Sequence, residues 1–581
     1  MTLSNMTEST DLSRVSFIVM REMRKPVMAL ILVYAISILG MVFIPGHEVD
    51  GKPQYLSIFH AFYFMTYTAT TTGFGELPFE FNDAQRLWAM VCLYVSVITW
   101  LYAIGSIIRL FQNPFFVRAV AQRRFSRQVR RIPGPYFIVC GFGDTGSVLA
   151  RGLSDYGVPA VIIDQDEERI KALTLRDYRV PMPGLCADAS APKHLLEAGI
   201  RNPNCQAIVA ITNNEEINLK ISALARLLNP TIRIITMSKV DVFEETLANL
   251  GGEVHIVDPF KMFAKVLVST MTHPRFYTLN NWLVRAPRVH LDDYVKPPTG
   301  KWVVCGYGRM GHEVTRALIN RGMDTVVIDP HDSPNKNGIH KFIIGRTTAK
   351  TLAQAGIEDA VGIIAGTDDD GHNLGILLNA RKLNLNLFTL VRQNRHENRI
   401  AFEASQIDMI MQPTLVTARR VLFLLIAPLL KQFFQYLLND EPGRKEEMES
   451  VIKQLQQKIG RRPPHLITID IVEEQCRAVT ACLDQGEQVL LGDLMKHPDN
   501  IHRQLDLIAF VAKSADNIHV LPTNDYSLKR GDQILFCGTG SAKRLLNATL
   551  NNEYNLFYVR HGAHLPKGYF MQWYTQKLNR M

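Results

Sequence analysis

Apolar positions in the first part of the chain fall into three runs of unequal length. Val27 to Ile44 is eighteen residues without a charge, about 27 Å of helix against a hydrocarbon core of about 30 Å. Leu87 to Ile108 is equally uncharged and reaches about 33 Å. Both predict membrane-spanning helices. Between them, Leu56 to Tyr67, "LSIFHAFYFMTY", is a dozen mainly apolar residues, the length of a re-entrant helix that enters the membrane and stops. It leads into "TATTTGFGELP", Thr68 to Pro78, whose glycines suit neither an ordinary helix nor a strand. Non-helical backbone at membrane depth must be buried in protein or line an aqueous path, because each bare N–H or C=O in lipid costs several kcal/mol.

After Ile132-Pro133-Gly134-Pro135 the pattern changes to short apolar strands alternating with amphipathic helices. "YFIVCGFGDTGSVLARGL" reads as a strand, a G-x-G-x-x-G turn (Gly141, Gly143, Gly146) and a helix, and Asp164 ends the next strand. "WVVCGYGRMGHEVTRAL" repeats the construction with Gly306, Gly308, Gly311 and then Asp329, every position displaced by 165 residues. Four equal displacements indicate a duplication. Further on, Asn218 and Asn373 match at a displacement of 155, so the second copy is about ten residues shorter there. Such glycines let backbone N–H groups approach a pyrophosphate at a helix N-terminus, and the later carboxylate accepts from a ribose diol. A 2′-phosphate would be repelled by that carboxylate, so the pattern favours NAD or an adenine nucleotide. Pro330 and "HDSPNKN" follow Asp329 and alter the second ribose pocket.

Composition adds a location. The 581 residues call for several domains, and a mean hydropathy of zero hides the apolar segment by dilution. Much of the net charge of +9 comes from Arg109 to Arg131, with seven arginines and no acid. This segment follows a span directly and lacks regularly interleaved aromatics, which points to a membrane surface and not to nucleic acid. Arg21, Arg24 and Lys25 precede the first span, whereas Glu48, Asp50, Glu76, Glu80 and Asp83 outnumber Lys52 and Arg86 between the spans. The positive-inside rule then places both termini in the cytoplasm of a multi-pass cell-membrane protein. The eight cysteines form no C-x-x-C, as expected of reduced intracellular thiols. Asp368 to Asp370 offer hard oxygen ligands to calcium, although a solvated loop explains them as well.

The loop from Thr68 to Pro78 resembles the pore loop of potassium channels, T-A-T-T-V-G-Y-G-D-x-x-P. The resemblance implies a TTGFG selectivity filter, Thr71 to Gly75, in which the carbonyls of Thr71, Thr72, Gly73 and Phe74 and the Thr71 hydroxyl coordinate dehydrated potassium. Thr72, Phe74 and Glu76 depart from the usual valine, tyrosine and aspartate. The second span has no glycine before Gly105, which puts a mid-helix gating bend in doubt and leaves Gly105 a close-packing position. Both repeats resemble the N-terminal lobe of regulator-of-potassium-conductance (RCK, Trk-type) domains. Asp188 matches that family's acidic position, and the segment from Asp258 its crossover helix. "HLITIDIV", "IAFVAK" and "LKRGDQILFCGTG" resemble strands of its C-terminal lobe.

The expected fold is thus a membrane α-helical pore module followed by α/β Rossmann-like RCK domains and a small α+β C-terminal lobe. Its parts are a pore domain over 1–131, first lobe 132–270, linker 271–299, second lobe 300–440, helical linker 441–463, C-lobe 464–545 and tail 546–581. The resemblance implies a homotetrameric, ligand-gated potassium channel in a lipid bilayer, regulated by NAD or an adenine nucleotide at Gly141, Gly143, Gly146, Asp164 and Asp188 and at Gly306, Gly308, Gly311 and Asp329, with calcium a further candidate. The alternatives are a nonselective cation channel on the same scaffold and a membrane-tethered NAD-dependent oxidoreductase. Against the latter, neither repeat is flanked by a recognisable acid/base residue with a substrate pocket, so no enzyme is expected.

Overall fold

The computed structural model describes residues 3–564 except 50–51, 77–78, 239–240, 284–288, 294, 335, 440, 463 and 516. Asp50, Leu77, Pro78 and the end of the expected tail therefore lie outside the described residues. The chain divides into two compact units, residues 1–132 with 197–199, and residues 133–196 with 200–581.

In the first unit, α1 (Leu3–Phe43) is longer than the expected span, and its stretch Val19–Phe43 is apolar and long enough to cross a membrane. The short helix α2 (Ile58–Ala69) is N-capped by Ser57, whose hydroxyl accepts the His60 N–H at 3.2 Å. The second candidate span is α3 (Asp83–Gln112), opened by a capping box in which Asn82 and Gln85 satisfy each other's backbone N–H groups. Pro114 then ends it, because a proline inside a continuing helix would clash and leave a carbonyl unpaired, and the arginine-rich segment forms α4 (Pro114–Arg130).

Along α3 beyond the capping Gln85, the buried positions are Cys92, Ser96, Thr99, Ala103, Ser106 and Leu110, mostly small residues repeating at intervals of three and four. The Ser96 and Thr99 hydroxyls return to the carbonyls of Leu93 (3.0 Å) and Val95 (2.7 Å), so neither is left unsatisfied in an apolar setting. Gly40 of α1 lets the Trp88 indole lie across its backbone, where any Cβ would collide, and Trp88 donates to Ser37 O at 3.2 Å. Gly105 behaves differently from the close-packing expectation: within the chain, a Cβ there would meet open space.

In the second unit, each repeat forms a six-stranded parallel sheet with its strands in the spatial order third, second, first, fourth, fifth, sixth. The first runs from Tyr136–Cys140 to Val254–Val257, the second from Trp302–Cys305 to Met409–Met411. The strands Tyr136–Cys140 and Trp302–Cys305 are wholly buried, as parallel strands covered on both faces must be, and Cys140 and Cys305 are packing residues within them.

The repeats exchange a helix. Pro259–Thr272 ends the first repeat, yet its Phe260, Phe263, Ala264 and Leu267 pack with Trp302, Val304, Met310, Val314 and Leu318 of the second. Reciprocally, Pro413–Ile426 ends the second repeat and lays Ala418, Val421 and Leu422 against Leu149 and Leu153 of the first. A division at residue 270 thus assigns Pro259–Thr272 to the sheet it does not cover. Neither expected linker is a loose tether either: Pro274–Leu283 buries Leu279 and Trp282, and Arg444–Lys458 buries Met448, Val451, Ile452 and Leu455.

The C-terminal lobe is an antiparallel sheet, His465–Asp470, Gln533–Gly538, Leu507–Lys513 and Ile518–Val520 in spatial order. Alternate residues serve alternate faces. Leu466, Phe510 and Leu535 meet the first repeat's core, with Phe510 stacked on Phe433 at 4.2 Å, while Ile467, Ile469 and Phe536 face a separate core. That core includes Leu556 and Val559 of the helix Glu553–His561, so part of the expected tail is folded.

Candidate pore and nucleotide sites

Helix α2 ends at Ala69, and the backbone then alternates: Thr71 (φ 58°), Gly73 (φ 69°) and Gly75 (φ 90°) are left-handed, with ordinary residues between them. The glycines adopt this at little steric cost, whereas Thr71 is β-branched and is strained there. The turn is tied back to α2 by Thr71 N–H to Thr68 O (3.1 Å) and Thr72 N–H to Tyr67 O (2.8 Å). Thr72, in place of valine, pairs its hydroxyl with that of Thr70 at 2.9 Å.

Phe74 brings no hydroxyl, and the structure supplies one from the other side. Tyr67 of α2 donates its phenolic O–H to the Gly75 carbonyl at 2.5 Å and meets the Phe74 ring edge-on at 5.6 Å. Gly75 O is thereby engaged by α2, while the carbonyls of Thr71 to Phe74 are the expected ion ligands. Just beyond, Glu76 accepts from Arg86 (2.9 and 3.2 Å) and from the Phe81 N–H (2.8 Å). The Arg86 guanidinium first, and the Phe81 N–H second, hold the Glu76 carboxyl below the usual carboxylate range. The sequence offered Tyr67 and Arg86 no motif; only their nearness to the loop marked them.

In the first repeat the three glycines do different things. Gly141 (φ 106°) makes the turn, and a Cβ there would stand 2.9 Å from Ile211 O. Gly143 is the N-cap of Asp144–Tyr156 and provides no side chain to occupy its N–H groups, while a Cβ on Gly146 would run into Gly141 O. Asp164 braces this turn, accepting the Phe142 N–H at 2.5 Å and the Asp166 N–H at 2.8 Å. Asp164 as a residue is only 8% exposed.

Two adjoining cavities open at this turn. One, of about 350 Å³, is lined by Gly141, Asp164, Asp188, Thr212 and Asn214; the other, of about 270 Å³, by Asp144, Ser147, Arg176 and Thr414. Gly143 and Arg169 border both. Arg169 is 3.6 Å from Asp164 and 3.3 Å from Asp166, and Arg176 lies over the Phe142 ring at 5.6 Å. Burial works to raise the Asp188 carboxyl, but hydrogen bonds from Ser190 and Gln165 and the charge of Lys220 together hold the group below its ordinary value. The arrangement offers acids at one end, two guanidinium groups beside the glycine turn, and a crossover-helix residue at the other end. Arg169, Arg176 and Thr414 escaped sequence reasoning, since none belongs to the fingerprint. A larger cleft of about 700 Å³ runs past Arg201, Arg233 and Asp470 and touches neither glycine turn.

The second repeat keeps the backbone plan: Gly306 has φ 92°, a Cβ on Gly311 would run into Gly306 O, and Asp329 accepts the Tyr307 N–H at 2.6 Å and the His331 N–H at 2.8 Å. In the acidic triplet Asp368 and Asp369 are exposed in the loop before a helix, and only Asp370 is buried. Asp369 caps a helix, and buried Asp370 accepts from Asn394, Arg395 and Asn398. Among the described residues no group of three His, Cys, Asp or Glu side chains could hold a metal ion.

Two apolar helices around a re-entrant turn, continued by paired Rossmann-like sheets, define a membrane channel module joined to nucleotide-fold domains. Residues 28–113 match the ion-channel family, and residues 137–258 and 302–413 match the TrkA-N domain. The chain carries an ion-channel domain followed by two TrkA-N (RCK) domains.

Among relatives, it is 24% identical over 195 residues to potassium channel protein 1 of Methanocaldococcus jannaschii, covering 34% of this chain and 57% of that one. It is 30% identical over 145 residues to a Trk system potassium uptake protein TrkA homolog of Pyrococcus abyssi, covering 24% and 62%. The chain spans little more than half the length of the first of these relatives. Among solved structures, the GsuK channel bound to NAD aligns over 92% of this chain and 99% of its own, with a TM-score of 0.48 and 16% identity.

Proposed function

We propose that the protein is a potassium channel whose pore is assembled from four chains and regulated by an adenine nucleotide on the first glycine turn. The observation that carries the pore reading is the alternation of left-handed backbone at Thr71, Gly73 and Gly75 directly after a helix too short to span. Alternating hands can bring successive carbonyls to one side, where they replace a cation's hydration shell. One chain supplies one carbonyl per layer, so a closed cage requires a symmetric oligomer. The relative named as a potassium channel protein supports potassium as the ion. The arginines of α4 and of the N-terminal flank support a cytoplasmic location for both termini.

The nucleotide reading rests on the first repeat's open N-cap at Gly143, the two guanidinium groups beside it, and the carboxylates of Asp164 and Asp188. A nucleotide there biases the pore only by binding the open and closed states unequally.

Flux into vesicles holding the purified protein tests both halves. Potassium should pass far faster than sodium, and NAD or ADP should change the potassium rate in one direction, with calcium as a separate arm. Equal potassium and sodium fluxes would favour the nonselective channel, which requires Thr72 and Phe74 to loosen the filter. Oxidation of NADH with an organic substrate would make the protein an oxidoreductase instead.

A further inference from the structure

The two glycine turns share a backbone plan but differ in what stands over them. Ala187 N–H donates to Asp164 O at 2.9 Å, and Gly345 N–H donates to Asp329 O at 2.8 Å, so these residues correspond. One position on, Asp188 of the first repeat is answered by Arg346 of the second. The exchanged crossover helices begin Asp258-Pro259-Phe260 and Gln412-Pro413-Thr414, which pairs Phe260 with Thr414.

Thr414 leaves a cavity of about 270 Å³ open beside Asp144. At the equivalent place Phe260 is buried in the second repeat's core with Val304 and Met310. Arg309, which stands where the first repeat has Asp144, lies over the Phe260 ring at 5.7 Å, and Arg392 lies over it at 5.2 Å. Arg309 is also drawn toward Glu215 of the first repeat, 3.4 Å away. Each guanidinium makes a cation–π contact with the ring, and Phe260 stands where the first repeat has the smaller Thr414.

Resting on the nucleotide reading above, we propose that the second glycine turn is closed by Phe260, so that each chain takes one adenine nucleotide, on the first turn only. Position 414 or 260, contributed by the opposite repeat's helix, decides which turn is open.

Equilibrium dialysis of the full-length protein in detergent, with radiolabelled ADP and separately with NAD, tests this. The unmodified protein should bind one nucleotide per chain. Thr414→Phe, at a partly exposed position, should bind none while its thermal melt is preserved, and Phe260→Thr should bind two. Two nucleotides per unmodified chain, one in a folded Thr414→Phe protein, or one in a folded Phe260→Thr protein would overturn the inference. If Phe260→Thr does not fold, the first two measurements decide. No binding by the unmodified protein would instead sink the nucleotide reading itself.

Discussion

Tyr67 and Glu76 bracket the proposed filter with two anchors of different chemistry. A neutral hydrogen bond such as Tyr67 O–H to Gly75 O contributes about 0.5–1.5 kcal/mol net, so Tyr67→Phe should lower potassium-over-sodium selectivity by roughly two- to tenfold. Unchanged relative fluxes would show that the hydroxyl is not an anchor. For Glu76 the sign follows from its lowered pKa. A depressed acid keeps its native contact above the unfolded value, about 4.3 for glutamate, and loses it as pH falls through the still lower folded value. Acid on the loop side should therefore leave flux intact until below that range. Arg86→Ala removes the chief cause and should bring the loss to higher pH; an identical pH profile in that variant would dismiss the ion pair.

At the scale of elements, the sequence carried what local chemistry dictates. Gly141, Gly143 and Gly146 were readable because a tight turn, an open N-cap and close helix–strand packing each require glycine at a fixed offset. The spans were readable because an uncharged run of that length has few other uses. Helix exchange was not readable: Phe260, Phe263 and Leu267 make the same apolar stripe whichever sheet they cover. Thr414 stayed hidden as a lining residue for that reason, since its partner turn is far away in the chain. Residues 271–299 read as a linker because they are too short for a second lobe, and 441–463 as a charged helical one; neither length nor charge reveals that Leu279, Trp282, Val451 and Leu455 are buried. Phe433 belongs to the same hidden packing. Phe433→Ala should cost about 3–5 kcal/mol, read as a lowered melting temperature of the second unit within the full protein. A melt within a degree or so of the parent would mean the cavity collapses freely.

For the whole molecule, symmetry and energy set the terms. Taking a gate from 1:99 to 99:1 needs about 5.5 kcal/mol; shared by four single-site chains this is about 1.4 kcal/mol each, roughly a tenfold affinity difference between states. Eight sites would each need only about half of that, so stoichiometry and coupling strength constrain one another. Light scattering corrected for detergent should give a tetramer, and a monomer would remove the pore mechanism. Topology can be read with thiol reagents: a cysteine introduced at Glu48 should label from outside intact cells, and exposed Cys186 only after permeabilisation. Cys537 is buried and should stay silent in the native protein.

The traded crossover helices make the two repeats hostages of one another. Either half produced alone would display a bare apolar sheet face and carry a helix with nothing to cover, which is a recipe for aggregation. Produced together as separate polypeptides divided between Thr272 and Gly300, the halves should find each other and copurify, because the covalent join is only one of the ties between them. The same bond restricts how the gene can change: once duplicated and interlocked, neither copy can be lost without stranding the other, so a second turn that no longer holds ligand would still be retained as a structural partner.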